Sequence, residues 1–188
     1  MTGKVIWTIG HSTHPLNHLL EMLKQNNIGT LVDIRSLPGS RKFPHFNRES
    51  LQQTVPAAHI EYAHLLDLGG RRRSTKDSYE NSPNKAWRHK AFRSYADHME
   101  TPQFLRGVDR LEEIAGQTNV CYMCSEAYWL KCHRSMLSDF LLSKEWVVKH
   151  ITRISKNGTD STTPHKYTQP ARIFKGKLTY HPENLFAS

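Results

Sequence analysis

The chain is poor in cysteine, in acidic residues and in long apolar runs, and each shortage excludes something. Three cysteines in 188 residues, an odd number gathered in one short stretch, make no disulfide framework and suit a reducing compartment. No apolar run exceeds a few residues, so the sequence predicts no transmembrane helix. The opening Met1–Trp7 leads into a strand and lacks the apolar centre of a signal peptide, which makes the cytoplasm the expected location. There is no P-loop, and Gly10 belongs to no dinucleotide-binding glycine pattern, so no nucleotide-cofactor signature is present. Acids are scarce beside bases: 17 Asp and Glu against 26 Lys and Arg, a net charge of +9. That surplus attracts phosphate-bearing partners, an anionic small molecule or a nucleic acid, and gives no reason to expect a membrane.

What is present has the balance of a globular chain: 37% hydrophobic residues with 10 Gly and 9 Pro. Lys4–Ile9 predicts a strand, Asn17–Asn26 a helix with Leu16, Leu19, Leu20 and Leu23 at helical spacing, and Thr30–Arg35 a second strand. Strand, helix and strand in so short a span make a βαβ unit and imply a parallel sheet. Residues 36–50 form a basic loop, Glu49–Val55 a short helix and Ile60–His64 a third strand. A polar stretch from Gly69 to Asn84 is expected to be a mobile loop. Helical patterns cover Lys85–Met99 and Thr101–Ala115, a short apolar strand covers Asn119–Cys124, a helix Cys132–Ser143 and a last strand Trp146–Ile151. The expected architecture is α/β: a mostly parallel sheet of about five strands with flanking helices, doubly wound and Rossmann-like. The expected domain runs over 1–154. A linker and tail over 155–188 either pair as a hairpin at 171–180 or dock as irregular chain.

In open parallel sheets, ligands bind outside the carboxyl ends of the strands. The residues at those ends are His11 and Ser12 after the first strand, and Asp33 and Arg35 on the second. Gly69, Gly70 and Arg71 follow the third, and Cys124, Ser125 and Glu126 follow the fourth. The densest chemistry is Cys124–Ser135, where a strand ends in one cysteine and Cys132-His133-Arg134 opens a helix. Two roles are open to the thiols. One is nucleophilic, with Cys124 as thiolate, Arg134 and Arg35 as anion clamps, and His11, Asp33 or Glu126 handling protons. The other is metal binding by Cys124, Cys132 and His133, with zinc or iron as the candidate cation. Seven residues separate the cysteines, a spacing unlike the closed structural zinc sites. Ser12, Gly69, Gly70 and Arg71 are expected to hold substrate. Cys121 is expected to fill the core from mid-strand. The ten histidines other than His11 and His133 are scattered without ligand spacing, and most are expected at the surface or at strand edges. Tyr128 and Trp129 either stack on a base or cap the core.

Thr8-Ile9-Gly10-His11-Ser12, Leu31-Val32-Asp33-Ile34-Arg35 with Pro38, Leu68-Gly69-Gly70, and Cys124-x-Glu126 with Cys132-His133-Arg134 together resemble the "domain of unknown function 488" family. The likeness covers residues 4 to about 151, and the family's cysteine and histidine positions imply an enzyme. A looser likeness is to rhodanese-like domains, whose Asp-x-Arg strand is similar to Asp33-Ile34-Arg35 and whose cysteine loop lies between a strand and a helix. Nine residues lie between Cys124 and Arg134, more than the tight anion loop of those domains holds. The reading is an enzyme on an anionic, phosphate-bearing or nucleic-acid substrate, working by thiolate transfer or metal-assisted hydrolysis. The alternative is a non-catalytic nucleic-acid-binding module with a structural or redox-sensing Cys/His cluster. Its surface would be built from Arg41, Lys42, Arg48, Arg71, Arg72, Arg73, Arg88 and Lys90.

Overall fold

Strand β4 (Val120–Cys124) is buried at all five residues, and the sheet is organised around it. In the computed structural model, which describes residues 4–72, 75–153 and 160–182, β4 lies between β1 (Val5–Gly10) and β2 (Thr30–Asp33) and is parallel to both. A continuous apolar run suits a strand covered on both faces. Outside these, β3 (Glu61–His64) pairs with β2, and β5 (Val147–Arg153) with β1, again in parallel. The sheet order is β3-β2-β4-β1-β5-β6.

Side chains alternate across this sheet. Ile6, Val32, Val120, Tyr122, Cys124 and Val148 face one core, shared with the buried faces of α4 (Lys90–Met99), α5 (Pro102–Ala115) and α6 (Arg134–Ser143). Ile9, Leu31, Cys121, Met123 and Ile151 face the other, shared with α1 (Leu16–Gln25) and α2 (Arg48–Ala57). Helix α5 shows why its sequence folds so: Thr101 caps it by accepting from the Phe104 N–H, and Pro102 sits in the first turn. Phe104, Val108 and Leu111 recur at helical spacing and are all but fully buried, worth about 1.5–3 kcal/mol each. Cys121 is buried in mid-strand, and burial pushes its thiol up.

The mostly parallel sheet of about five strands is present with one strand more, and two other expectations need correction. The sheet has six strands among the described residues, because β6 (Asp160–Pro164) adds antiparallel to β5 within the stretch assigned to linker and tail. Asp-Ser-Thr-Thr-Pro carries no apolar alternation, and its terminal proline suits an edge. Residues 76–81 are not loop but helix α3 (Lys76–Asn81), capped by Thr75. Helix α4 starts only at Lys90, since Ser82 and Asn84 hydrogen-bond Asp97 and hold 82–89 in an irregular path. The tail does pair as a hairpin, β7 (Arg172–Phe174) with β8 (Lys177–Thr179). Lys175 and Gly176 both take positive φ, as a two-residue turn requires.

Several histidines also depart from the surface positions expected of them. His98, His150 and His165 are buried. His150 Nε2 and His165 Nδ1 share a hydrogen bond of 2.9 Å, and His165 Nε2 donates to Asp139 at 2.9 Å. Asp139 also accepts from the Thr168 N–H, the Thr168 hydroxyl and the Tyr180 hydroxyl. One carboxylate on α6 therefore holds the C-terminal segment to the core. Trp129 stacks on His150 with ring centres 4.1 Å apart, so it caps this cluster rather than waiting for a base. Among the described residues no helix is long and apolar enough to cross a membrane.

Candidate active site

The insertion of β4 between β1 and β2 brings three strand ends together. Gly10 is in register with Cys124, the His11 N–H donates to Cys124 O at 2.9 Å, and the Ser12 N–H donates to Ser125 O at 2.9 Å. On the other side the Ile34 N–H donates to Met123 O. Ser12 holds φ +47° to make the turn, a left-handed conformation that costs a non-glycine residue roughly 1–3 kcal/mol. Gly10 has no alternative, because a Cβ there would lie 1.9 Å from Glu126 O, where the loop after β4 crosses it.

A cleft of about 690 Å³ opens over this edge, lined by His11, Ser12, Arg35, Gly70, Arg71, Cys124, Glu126 and His133. It also takes in Ser36, Ser40 and Phe43, which sequence reasoning does not single out. A signal for them exists, since they follow the carboxyl end of β2.

On the α2 side, Asp33 accepts from Arg35 Nε at 2.9 Å and from the Tyr62 hydroxyl at 2.8 Å, as well as from the Arg35 backbone N–H. Its carboxylate is fully buried. Asp33 thus acts as an anchor for Arg35, not as a free base. Burial works against the Arg35 charge, but Asp33 outweighs it and holds its pKa above the ordinary value. Arg35 Nη1 donates to His11 Nε2 at 3.1 Å, which leaves the proton on Nδ1, donating to Ser12 O. Burial first, then the Arg35 charge, lower the His11 pKa to about 4. His11 is therefore neutral, stacked on Phe46 with its acceptor already engaged. It is an oriented dipole at the cleft wall.

On the α6 side, Cys124, Cys132 and His133 offer ligand atoms that all lie within 4.8 Å of one another. His133 Nδ1 is 3.9 Å from Cys124 Sγ and 3.6 Å from Cys132 Sγ, while Nε2 donates to Ile34 O at 3.3 Å. Gly70 makes room for that ring, since a Cβ there would sit 2.2 Å from Nδ1. The neighbouring Cys132 sulfur, then burial, push the Cys124 thiol up to about 12. At Cys132 burial opposes ionisation, but the Cys124 thiol and the Arg134 guanidinium outweigh it and bring the thiol down to about 6.

Arg134 is the sequence-predicted residue that the fold takes away from the cleft. It is 1% exposed and donates to Glu126 O, to Ala127 O at 3.4 Å and to the Thr8 hydroxyl at 3.3 Å. Its guanidinium ties down the loop instead of clamping a ligand. Gly69 is likewise behind the wall, packed on Ser36, while exposed Arg71 and Glu126 line the opening.

The model of the family "Domain of unknown function DUF488" matches residues 15–141. The chain belongs to this family. The DUF488 match contains Asp33, Arg35, Gly70, Cys124, Glu126, Cys132 and His133, and stops short of His11 and Ser12 on one side and of β5 and the tail on the other. No curated protein and no solved structure matches the chain.

Proposed function

We propose that this DUF488 protein is an enzyme that hydrolyses anionic esters, with Cys124, Cys132 and His133 as ligands of a zinc-class cation at the cleft floor. The observation that carries this reading is the spacing of the three ligand atoms. A tetrahedral site with Zn–S about 2.3 Å and Zn–N about 2.0 Å needs S···N edges of about 3.6 Å. The two S···N distances here are 3.6 and 3.9 Å. The free ring nitrogen of His133 is held by a backbone carbonyl, as metal-bound imidazoles usually are. Three protein ligands leave a fourth position for water or substrate, the pattern of catalytic rather than structural zinc.

Such a cation supplies a Lewis acid and a water that ionises near neutral pH. The chain supplies the rest. Arg71 and the hydroxyls of Ser12, Ser36 and Ser40 face the substrate anion, and His11 presents its ring at the wall. Glu126 takes the proton of the attacking water and returns it to the leaving oxygen, so one P–O bond forms as another breaks.

A second reading, thiolate transfer at Cys132, draws on the lowered thiol of that residue. Metal analysis of untagged protein, with cobalt substitution, separates the two. About one zinc or iron per chain, lost in Cys132→Ser and His133→Ala, with a sulfur-to-cobalt charge-transfer band, is the expected result. Metal-free protein with a rapidly alkylated Cys132 overturns the metal reading in favour of the thiolate. Hydrolysis of bis(p-nitrophenyl) phosphate then tests the reaction, and its absence from metal-loaded protein counts against a hydrolase.

A further inference from the structure

The cleft over the Cys/His centre does not end there. A second cleft of about 450 Å³ shares Gly70, Cys124, Glu126 and His133 with the first and adds Leu130, Lys131 and Cys132. A third of about 590 Å³ shares His89 and Phe92 with the second and continues past Trp87 to Arg172. A small ligand is accommodated by a single cleft of about 300–1,000 Å³. Three such clefts in a row, with the reacting centre at the junction of the first two, suit a longer molecule.

Their charge is one-sided. Arg71 lines the first, Lys131 the second, Arg88 and Arg172 the third, and Glu126 is the only carboxylate among the described lining residues. Arg35, also in the first, is already paired with Asp33. Aromatic rings line the same path: Phe92 the second and third clefts, and Trp87, its ring centre 4.8 Å away, the third. Tyr128, 54% exposed, stands in the loop that carries Glu126.

We propose that this path is the track of a single-stranded nucleic acid, with a phosphodiester over the Cys/His centre and nucleotides extending to both sides. The inference rests on the preceding reading of that centre as the reacting group. Spaced cations follow a phosphate backbone, and aromatic faces between them stack bases without regard to sequence. The depth of the centre selects the single strand. Cys124 is 7% and Cys132 3% exposed, and a flexible strand dips to such a floor where a duplex, with a persistence length of about 150 base pairs, does not.

The test uses a fluorescein-labelled oligothymidylate of about 20 nucleotides, with anisotropy read over a range of salt concentrations. The variant is the double charge reversal Arg88→Glu, Lys131→Glu. Both side chains are exposed, and the Tyr79 hydroxyl bonds the Arg88 carbonyl rather than its guanidinium, so the fold is retained. The double variant is expected to bind at least about tenfold more weakly, with the salt slope reduced by about 0.7 for each phosphate that the protein no longer neutralises. The affinity of the wild type for thymidine monophosphate is the single-nucleotide reference. An oligonucleotide held no more tightly than the mononucleotide, a duplex held equally well, or a double variant indistinguishable from wild type overturns the track. Binding by Cys132→Ser, His133→Ala is measured alongside. Strong oligonucleotide binding by metal-free protein separates failure of the metal reading from failure of the track.

Discussion

Gly70 and His133 come from distant parts of the chain and occupy what would be the same space. Replacing Gly70 by Ala puts a methyl 2.2 Å from Nδ1 and 2.5 Å from Cγ of the ring. A displaced ring no longer faces both sulfurs. Overpacking of this kind costs roughly 1–3 kcal/mol of stability. The effect on a bound cation is larger, about 10–100-fold in affinity, as for other changes that misalign a ligand. Competition of Gly70→Ala and wild type for zinc against a chromophoric chelator measures it; equal affinities would falsify the assignment of His133 as a ligand. At the same scale, Gly-Gly-Arg was legible as a turn near the site, but not as the reason for an imidazole's position. That contact depends on two segments that sequence order keeps apart.

Helix α6 carries two burdens that its sequence shows only as polar residues in an apolar pattern. Arg134 in its first turn binds the loop after β4, and Asp139 one turn later binds the tail. The Asp139 carboxylate accepts from four donors: the Thr168 N–H and hydroxyl, the Tyr180 hydroxyl and His165. Four bonds use the acceptor sites of an ionised carboxylate. Asn at this position turns an NH₂ towards donors, and the expected loss is about 2–4 kcal/mol. Hydrogen exchange should show amides of 160–182 losing protection before those of β4 in Asp139→Asn. Unchanged protection in the tail would mean that packing of Tyr180 alone secures it. The edge strand β6 belongs to the same lesson. Its four polar residues and terminal proline carry no period-two signal, and it is a strand because β5 offers an open edge.

Across the whole molecule, burial of neutral histidines ties stability to pH. Burial first, then the nearby His165 and Arg134, lower the His150 pKa to about 3, and His11 falls to about 4. In the unfolded chain both return to about 6.5. Above that value neither state binds the proton and nothing is lost. Below it the unfolded chain is protonated and the native one is not, so stability drains away down to the folded pKa values. At pH 5 each histidine accounts for roughly 2 kcal/mol. Urea unfolding at pH 7 and pH 5 should therefore show His150→Phe losing about 2 kcal/mol less than wild type over that interval. The same loss in both proteins would place the acid sensitivity elsewhere.

The alternation of apolar strands with amphipathic helices is a local property, and the sequence by itself determined the α/β class, the parallel β1–β5 framework and the burial of Cys121, while it left the tail open between a hairpin and irregular chain. The gathering of His11, Asp33, Arg35, Gly70, Cys124, Glu126, Cys132 and His133 at one sheet edge was also foreseeable, because parallel strands present their carboxyl ends together. Whether each of these faces the cleft was a tertiary decision. Arg134 and Asp33 look like site residues in one dimension and are anchors in three: Asp33 is held by Arg35 and Tyr62, and Arg134 donates to Glu126 O, Ala127 O and the Thr8 hydroxyl. Arg73, named among the basic surface residues, lies outside the described residues. The strand order decided the rest: β4 entered between β1 and β2, and only that placement sets the Cys124 sulfur beside Cys132 and His133.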